Sequence, residues 1–141
     1  MKKILIINGP NLNLLGKRQP EIYGNQSFES YLEQLRDKYP DLLIDYYQTN
    51  HEGDIIDKLQ ASDGKYIGII LNPAAYTHTS IAIGDTVIAL DTPVVEVHIS
   101  DISKREGFRQ YSYIADYVAH RIMGKGLDGY ELAVQYLIEN H

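Results

Sequence analysis

A chain of 141 residues, 44% apolar and 23% charged, has the size and composition of one packed domain, taken here as residues 1–141. Its net charge of −6 argues against nucleic acid or an anionic membrane as partner, since phosphate surfaces call for a basic patch; a small anionic substrate needs only a few local donors. Cysteine is absent, which excludes disulfide scaffolds, thiolate zinc sites and thiol nucleophiles.

The chain opens with an apolar run over residues 3–8 that reads as a buried strand. Only four aliphatic residues follow Lys3, too few for a signal-peptide core, and no run reaches the ~18 apolar residues of a membrane helix. A soluble, cytoplasmic protein is expected. From Asn8 to Gly24 comes a long polar stretch with three asparagines, Lys17, Arg18 and Tyr23. Strand-to-helix loops usually run ~2–6 residues, so this one reads as a binding loop with a mobile lid.

A helix is predicted next, with Phe28, Tyr31, Leu32, Leu35 and Tyr39 at 3–4 spacing, Ser27 as N-cap and Pro40 as terminator. A strand at 43–48 precedes a second helix marked by Ile55, Ile56 and Leu59 and stopped near Gly64. A third strand at 66–71 leads to Asn72-Pro73 and to a helix over Ile81–Leu90, with Thr77 or Thr79 as cap. The fourth strand spans 94–98, a weaker fifth spans 118–123, and Leu127 to Leu137 mark a last helix. Alternating strands and helices imply a doubly wound α/β fold: a flavodoxin-like, five-stranded parallel sheet with helices on both faces.

Two glycine motifs fail on inspection. Six residues, not four, separate Gly9 from Gly16-Lys17, and Arg18 replaces the hydroxyl residue of a phosphate loop. Gly124-Lys125-Gly126-Leu127-Asp128-Gly129 fits G-x-G-x-x-G, but no strand with a ribose-binding acid follows it; a tight strand-to-helix turn is expected. The five histidines show no metal-ligand spacing.

In such sheets ligands sit beyond the carboxyl ends of the strands. Three segments would converge there: Asn8 to Tyr23 after the first strand, Asn72 to Ser80 after the third, and Glu96 to Ser100 with Arg105, Phe108 and Arg109 after the fourth. Each has a bland reading: Asn72-Pro73 as a turn, His78 as part of a helix's first turn, Glu96 and His98 as a satisfied pair on one strand face. Their convergence on one crevice favours a site.

Gly9-Pro10-Asn11-Leu12-Asn13-Leu14-Leu15-Gly16, Arg18…Tyr23-Gly24, Asn50-His51-Glu52-Gly53, the segment Asn72 to Ser80, and Glu96-Val97-His98-Ile99-Ser100 together resemble type II 3-dehydroquinate dehydratase, in order and over nearly the whole chain. The resemblance implies a cofactor-free and metal-free hydro-lyase of the shikimate pathway or of quinate degradation, assembled as a homo-oligomer, a dodecamer of trimers. Tyr23 matches the base, activated by Arg18; Asn11 matches the enolate stabiliser; His98 matches the general acid, paired with Glu96. Asn72 and the backbone N–H groups of Ile99 and Ser100 match the substrate-carboxylate site. His78 and Arg109 match residues on the ring hydroxyls, Asp85 an acid reaching in from a neighbouring subunit, and Arg105 a second arginine that positions the loop or lid.

The chain departs from the family pattern at Asp101, usually Asn, at Ser103, often His, and at Gly84, often Arg. A glycine inside a helix is expected to cost ~1 kcal/mol relative to alanine. Two other classes compete: a non-catalytic binding or assembly protein that kept the fold, and a flavodoxin or response-regulator domain. The complete set Asn11, Arg18, Tyr23, Glu96, His98 and Arg109 opposes the first. Asn8-Gly9 at the first strand end, without paired acids or a Ser/Thr-rich phosphate loop, opposes the second.

Overall fold

The computed structural model describes residues 1–17 and 25–141. Arg18 and Tyr23, and with them the expected lid, lie outside the described residues. The five strands are β1 (Lys2–Asn8), β2 (Leu42–Gln48), β3 (Gly68–Asn72), β4 (Val94–His98) and β5 (His120–Met123). The helices are α1 (Phe28–Lys38), α2 (Glu52–Ser62), α3 (Ile81–Ala89) and α4 (Asp128–Asn140). All strand pairs are parallel and the sheet order is β2-β1-β3-β4-β5, the flavodoxin-like arrangement expected from the alternation.

Successive side chains of a strand point to opposite faces, so each buried strand feeds two cores. Ile4, Ile6, Ile70, Val95 and Val97 pack with Phe28, Leu32 and Leu35 of α1 and with Tyr130, Ala133 and Leu137 of α4. Leu5, Ile7, Ile69, Leu71 and Val94 pack with Ile55 and Leu59 of α2 and with Ile83 and Val87 of α3. Coverage of both faces explains the continuous aliphatic runs of β1 and β3. Among the described residues, no helix is long and apolar enough to cross a membrane.

Ser27 caps α1 as expected, its Oγ accepting the Ser30 N–H at 3.1 Å. The cap of α3 is Ser80, not Thr77 or Thr79. A 3₁₀ turn over Ala74–His78 takes up those residues, and Ser80 Oγ accepts the Ile83 N–H at 3.0 Å. The fifth strand is shorter than predicted, starting at His120 because pairing with β4 begins there, opposite Val95. The G-x-G-x-x-G segment is a turn into α4, with Gly124 and Gly126 at φ 78° and 61°.

Candidate active site

β1, β3 and β4 end at one level, and the loops that leave them enclose a cavity of about 190 Å³. β1 and β3 lie side by side while their connections leave toward opposite layers, which is the switch point where a crevice opens. Pro10, Asn11, Leu12 and Leu15 form one wall, Asn72, Ala74 and His78 the floor and a second wall, and His98, Ile99, Ser100, Arg105 and Arg109 the third. Asn11 at φ 69° and Ala74 at φ 52° both hold left-handed backbone on the cavity surface. Such strain concentrates at binding sites. Asn11 is fixed there by its N–H, which donates to Asn50 Oδ1 at 3.0 Å.

The floor hangs on a buried polar chain. Tyr130 Oη, from α4, donates to Asn8 Oδ1 at 2.7 Å and accepts from Asn72 Nδ2 at 2.9 Å. Asn8 and Asn72 are register partners at the ends of β1 and β3. Asn72 Oδ1 accepts the Ala74 N–H at 3.1 Å. With one N–H on Tyr130 and the oxygen on Ala74, the Asn72 amide has a fixed orientation and one N–H left for a ligand. Burial pushes the Tyr130 hydroxyl far above its ordinary pKa, so it stays a neutral relay.

The other face of β4 holds an ionisable pair. Glu96 is fully buried, behind His98, and the His98 Nε2 stands 2.5 Å from Glu96 Oε2. That contact leaves Nδ1 as the free ring nitrogen. Ser112 Oγ donates to the same carboxylate oxygen at 2.8 Å, and Arg121 Nε lies 3.2 Å from Glu96 Oε1. Burial raises the Glu96 pKa, but the His98 hydrogen bond and charge, the Arg121 charge and the Ser112 hydroxyl together outweigh it and hold the carboxyl below its ordinary value. Glu96 therefore remains an anion at neutral pH.

His78 donates from Nδ1 to the Tyr111 carbonyl at 2.7 Å. Burial lowers its pKa below the ordinary value, so its Nε2 is an unprotonated acceptor at pH 7. Arg105 reaches Ser100 Oγ at 3.1 Å, while Arg109 pairs with Glu106 at 2.9 Å, bringing two cations to this crevice of an otherwise acidic protein. Asp85 lies exposed on α3 and does not line the cavity of its own chain. Asp101 caps the turn Ile102–Lys104, its carboxylate taking the Ser103 N–H and hydroxyl, so the two departures at 101 and 103 satisfy each other.

Residues 2–138 match the family model for class II dehydroquinase. The chain belongs to the class II dehydroquinase family. A protein of Clostridium botulinum strain Hall, called 3-dehydroquinate dehydratase, is 49% identical over 99% of this chain and 97% of its own length. A catabolic 3-dehydroquinase of Penicillium rubens is 45% identical over 99% of this chain and 91% of that protein. The crystal structure of type II dehydroquinase from Butyrivibrio crossotus superposes with a TM-score of 0.92 at 42% identity, covering 97% of both chains. Within this dehydroquinase frame, the residues read from sequence that fall in the described part all reach the cavity or stand directly behind it, Asp85 excepted. Ser112, Arg121 and Tyr130 were not foreseen: each acts through a partner distant in sequence. The only local hint was Arg121, a charge within an otherwise short apolar run.

Proposed function

We propose that this chain dehydrates 3-dehydroquinate to 3-dehydroshikimate through an enolate. The observation that carries the reading is the buried Glu96–His98 pair opening, through His98, onto a small cavity that also holds Asn11, Asn72 and His78. Family membership and the dehydratase names borne by relatives of similar length support it.

The reaction takes a proton from the carbon next to a ketone and expels a hydroxyl one carbon further on, as water. Tyr23 is the base. A free tyrosine ionises near pH 10, and the cation of Arg18, five residues earlier in the chain, is assigned the role of favouring its phenolate. Asn11 presents an amide donor to the enolate oxygen, an interaction strongest when the charge has developed. His98, its Nε2 held by Glu96, donates a proton from Nδ1 to the leaving hydroxyl. An ionised Glu96 favours the imidazolium form that this step needs. The substrate carboxylate takes the remaining N–H of Asn72 and the backbone N–H groups of Ile99 and Ser100, while His78 Nε2 and Arg109 take ring hydroxyls.

Ile81, Asp85 and Ile88 share one face of α3, and both isoleucines are more than half exposed. An apolar stripe carrying an acid suits a subunit contact that delivers Asp85 to a neighbour's cavity, within a dodecamer of trimers. The deciding experiment mixes purified protein with 3-dehydroquinate and follows ultraviolet absorbance, since the product is a conjugated enone. A rise that persists with EDTA is expected; no rise overturns the reading.

A further inference from the structure

The cation behind the acid pair has no counterpart in the scheme above. β5 is an edge strand, and its register with β4 sets Arg121 directly opposite Glu96. The Arg121 side chain is 28% exposed, yet its Nε and Nη2 are buried, and neither has a hydrogen-bond partner among the described residues. Glu96 Oε1 is likewise without a directional partner. The 3.2 Å between Arg121 Nε and Glu96 Oε1 is thus an ion pair that acts through charge and not through an aligned hydrogen bond. The opposite oxygen, Oε2, carries the two aligned bonds, from Ser112 and His98.

A permanent charge at this place solves a difficulty built into the acid. When His98 gives up its proton it becomes neutral, and Glu96 loses the cation that compensated it. A fully buried carboxylate beside a neutral ring binds a proton more readily, because burial penalises the unpaired anion. Glu96 would then compete with His98 for the proton that restores the acid. The guanidinium stays charged across the whole working range of pH. It keeps Glu96 an anion whether His98 is charged or neutral.

We infer that Arg121 is a positioning residue for the acid pair: it holds Glu96 ionised through the catalytic cycle and sets the pH range in which His98 carries its proton. The inference rests on the roles proposed above for Glu96 and His98. Among the described residues, the other charged groups around the pair are His78 from the turn after β3, Arg105 and Arg109 from the turns after β4, and Asp101, which faces Arg121. All are unchanged in the variants below.

The test compares wild type, Arg121→Gln and Arg121→Lys by two readouts: the pH dependence of kcat with 3-dehydroquinate, and the NMR titration of the His98 ring, assigned by its loss in His98→Asn. Removing a cation lets a neighbouring acid keep its proton to higher pH. The fall of kcat at high pH and the His98 midpoint should therefore both move upward by about one pH unit in Arg121→Gln. Arg121→Lys should return both to wild type, because the effect needs charge and not guanidinium geometry. Arg121→Met, which keeps the aliphatic stem, replaces Arg121→Gln if the amide disturbs the strand edge. A lower melting temperature or a lower kcat with both midpoints unmoved overturns the inference, as does an Arg121→Lys variant that shifts like Arg121→Gln. Wild type inactive toward 3-dehydroquinate, with a His98 midpoint that still moves in Arg121→Gln, sinks the proposed reaction and supports the role of Arg121.

Discussion

A β-carbon placed on Gly84 would stand 2.7 Å from the Tyr113 carbonyl oxygen. Tyr113 cannot easily retreat, because its N–H is bonded to Thr77 O at 3.0 Å. α3 therefore lies against the backbone of the segment after β4, and the glycine is a packing requirement. Helix propensity alone ranks alanine ~1 kcal/mol above glycine. Here the order should reverse: Gly84→Ala is expected to lose about 1–3 kcal/mol in urea denaturation, through overpacking. A variant more stable than wild type would show that the contact relaxes freely.

Tyr130→Phe removes one hydroxyl and strands two buried groups, Asn8 Oδ1 and Asn72 Nδ2. The expected loss is about 1–3 kcal/mol of stability. Asn72 also loses the contact that sets its orientation, so KM should rise more than kcat falls. Steady-state kinetics beside a denaturation curve separate the two effects.

Burial pushes Tyr46 up to about 12 and Tyr130 higher still. Each binds its proton more tightly folded than unfolded, where tyrosine ionises near 10. Their contribution to stability is complete below about pH 10 and is lost progressively as pH rises toward 12. The urea midpoint should fall across that window, and Tyr46→Phe should flatten the fall.

Glu96→Gln removes the charge that favours the His98 imidazolium. A drop in kcat of about 100-fold or more is expected at neutral pH. Wild-type stability carries a matching signature at the acid end. The depressed Glu96 carboxyl contributes stability above the ordinary carboxylate value near 4, and this is lost as pH falls through its lower folded value. Acid titration of the Glu96→Gln variant, followed by its urea midpoint, should lack that part of the acid sensitivity.

Tyr23→Phe is expected to lower kcat by about 1000-fold while substrate still binds, since a general base contributes 10²–10⁴-fold. Binding is read by titration calorimetry with 3-dehydroquinate. Near-normal turnover would remove Tyr23 from the role of base.

Most of the fold was legible because its signals are local. β1 and β3 carry unbroken aliphatic cores, β2 and β4 are rich in apolar residues, and α1 shows both its period and its cap in sequence. The pairing of Glu96 with His98 followed from two-residue spacing on one strand. β5 was harder to bound, as it has four residues, of which His120 is exposed and Arg121 charged. The α3 cap was misplaced because Thr77, Thr79 and Ser80 offer the same hydroxyl, and only the intervening 3₁₀ turn selects among them. The role of Tyr130 left no mark in the sequence, and that of Arg121 only the oddity of a charge in a short strand. Their partners are set by strand register and helix docking, which join residues 25 and 122 positions apart and leave no periodic trace.

The bond between Asn8 and Tyr130 ties the first strand to the last helix. The geometry of the crevice floor therefore answers to how α4 docks: displacing Tyr130 releases Asn8 and Asn72, at the ends of β1 and β3, together.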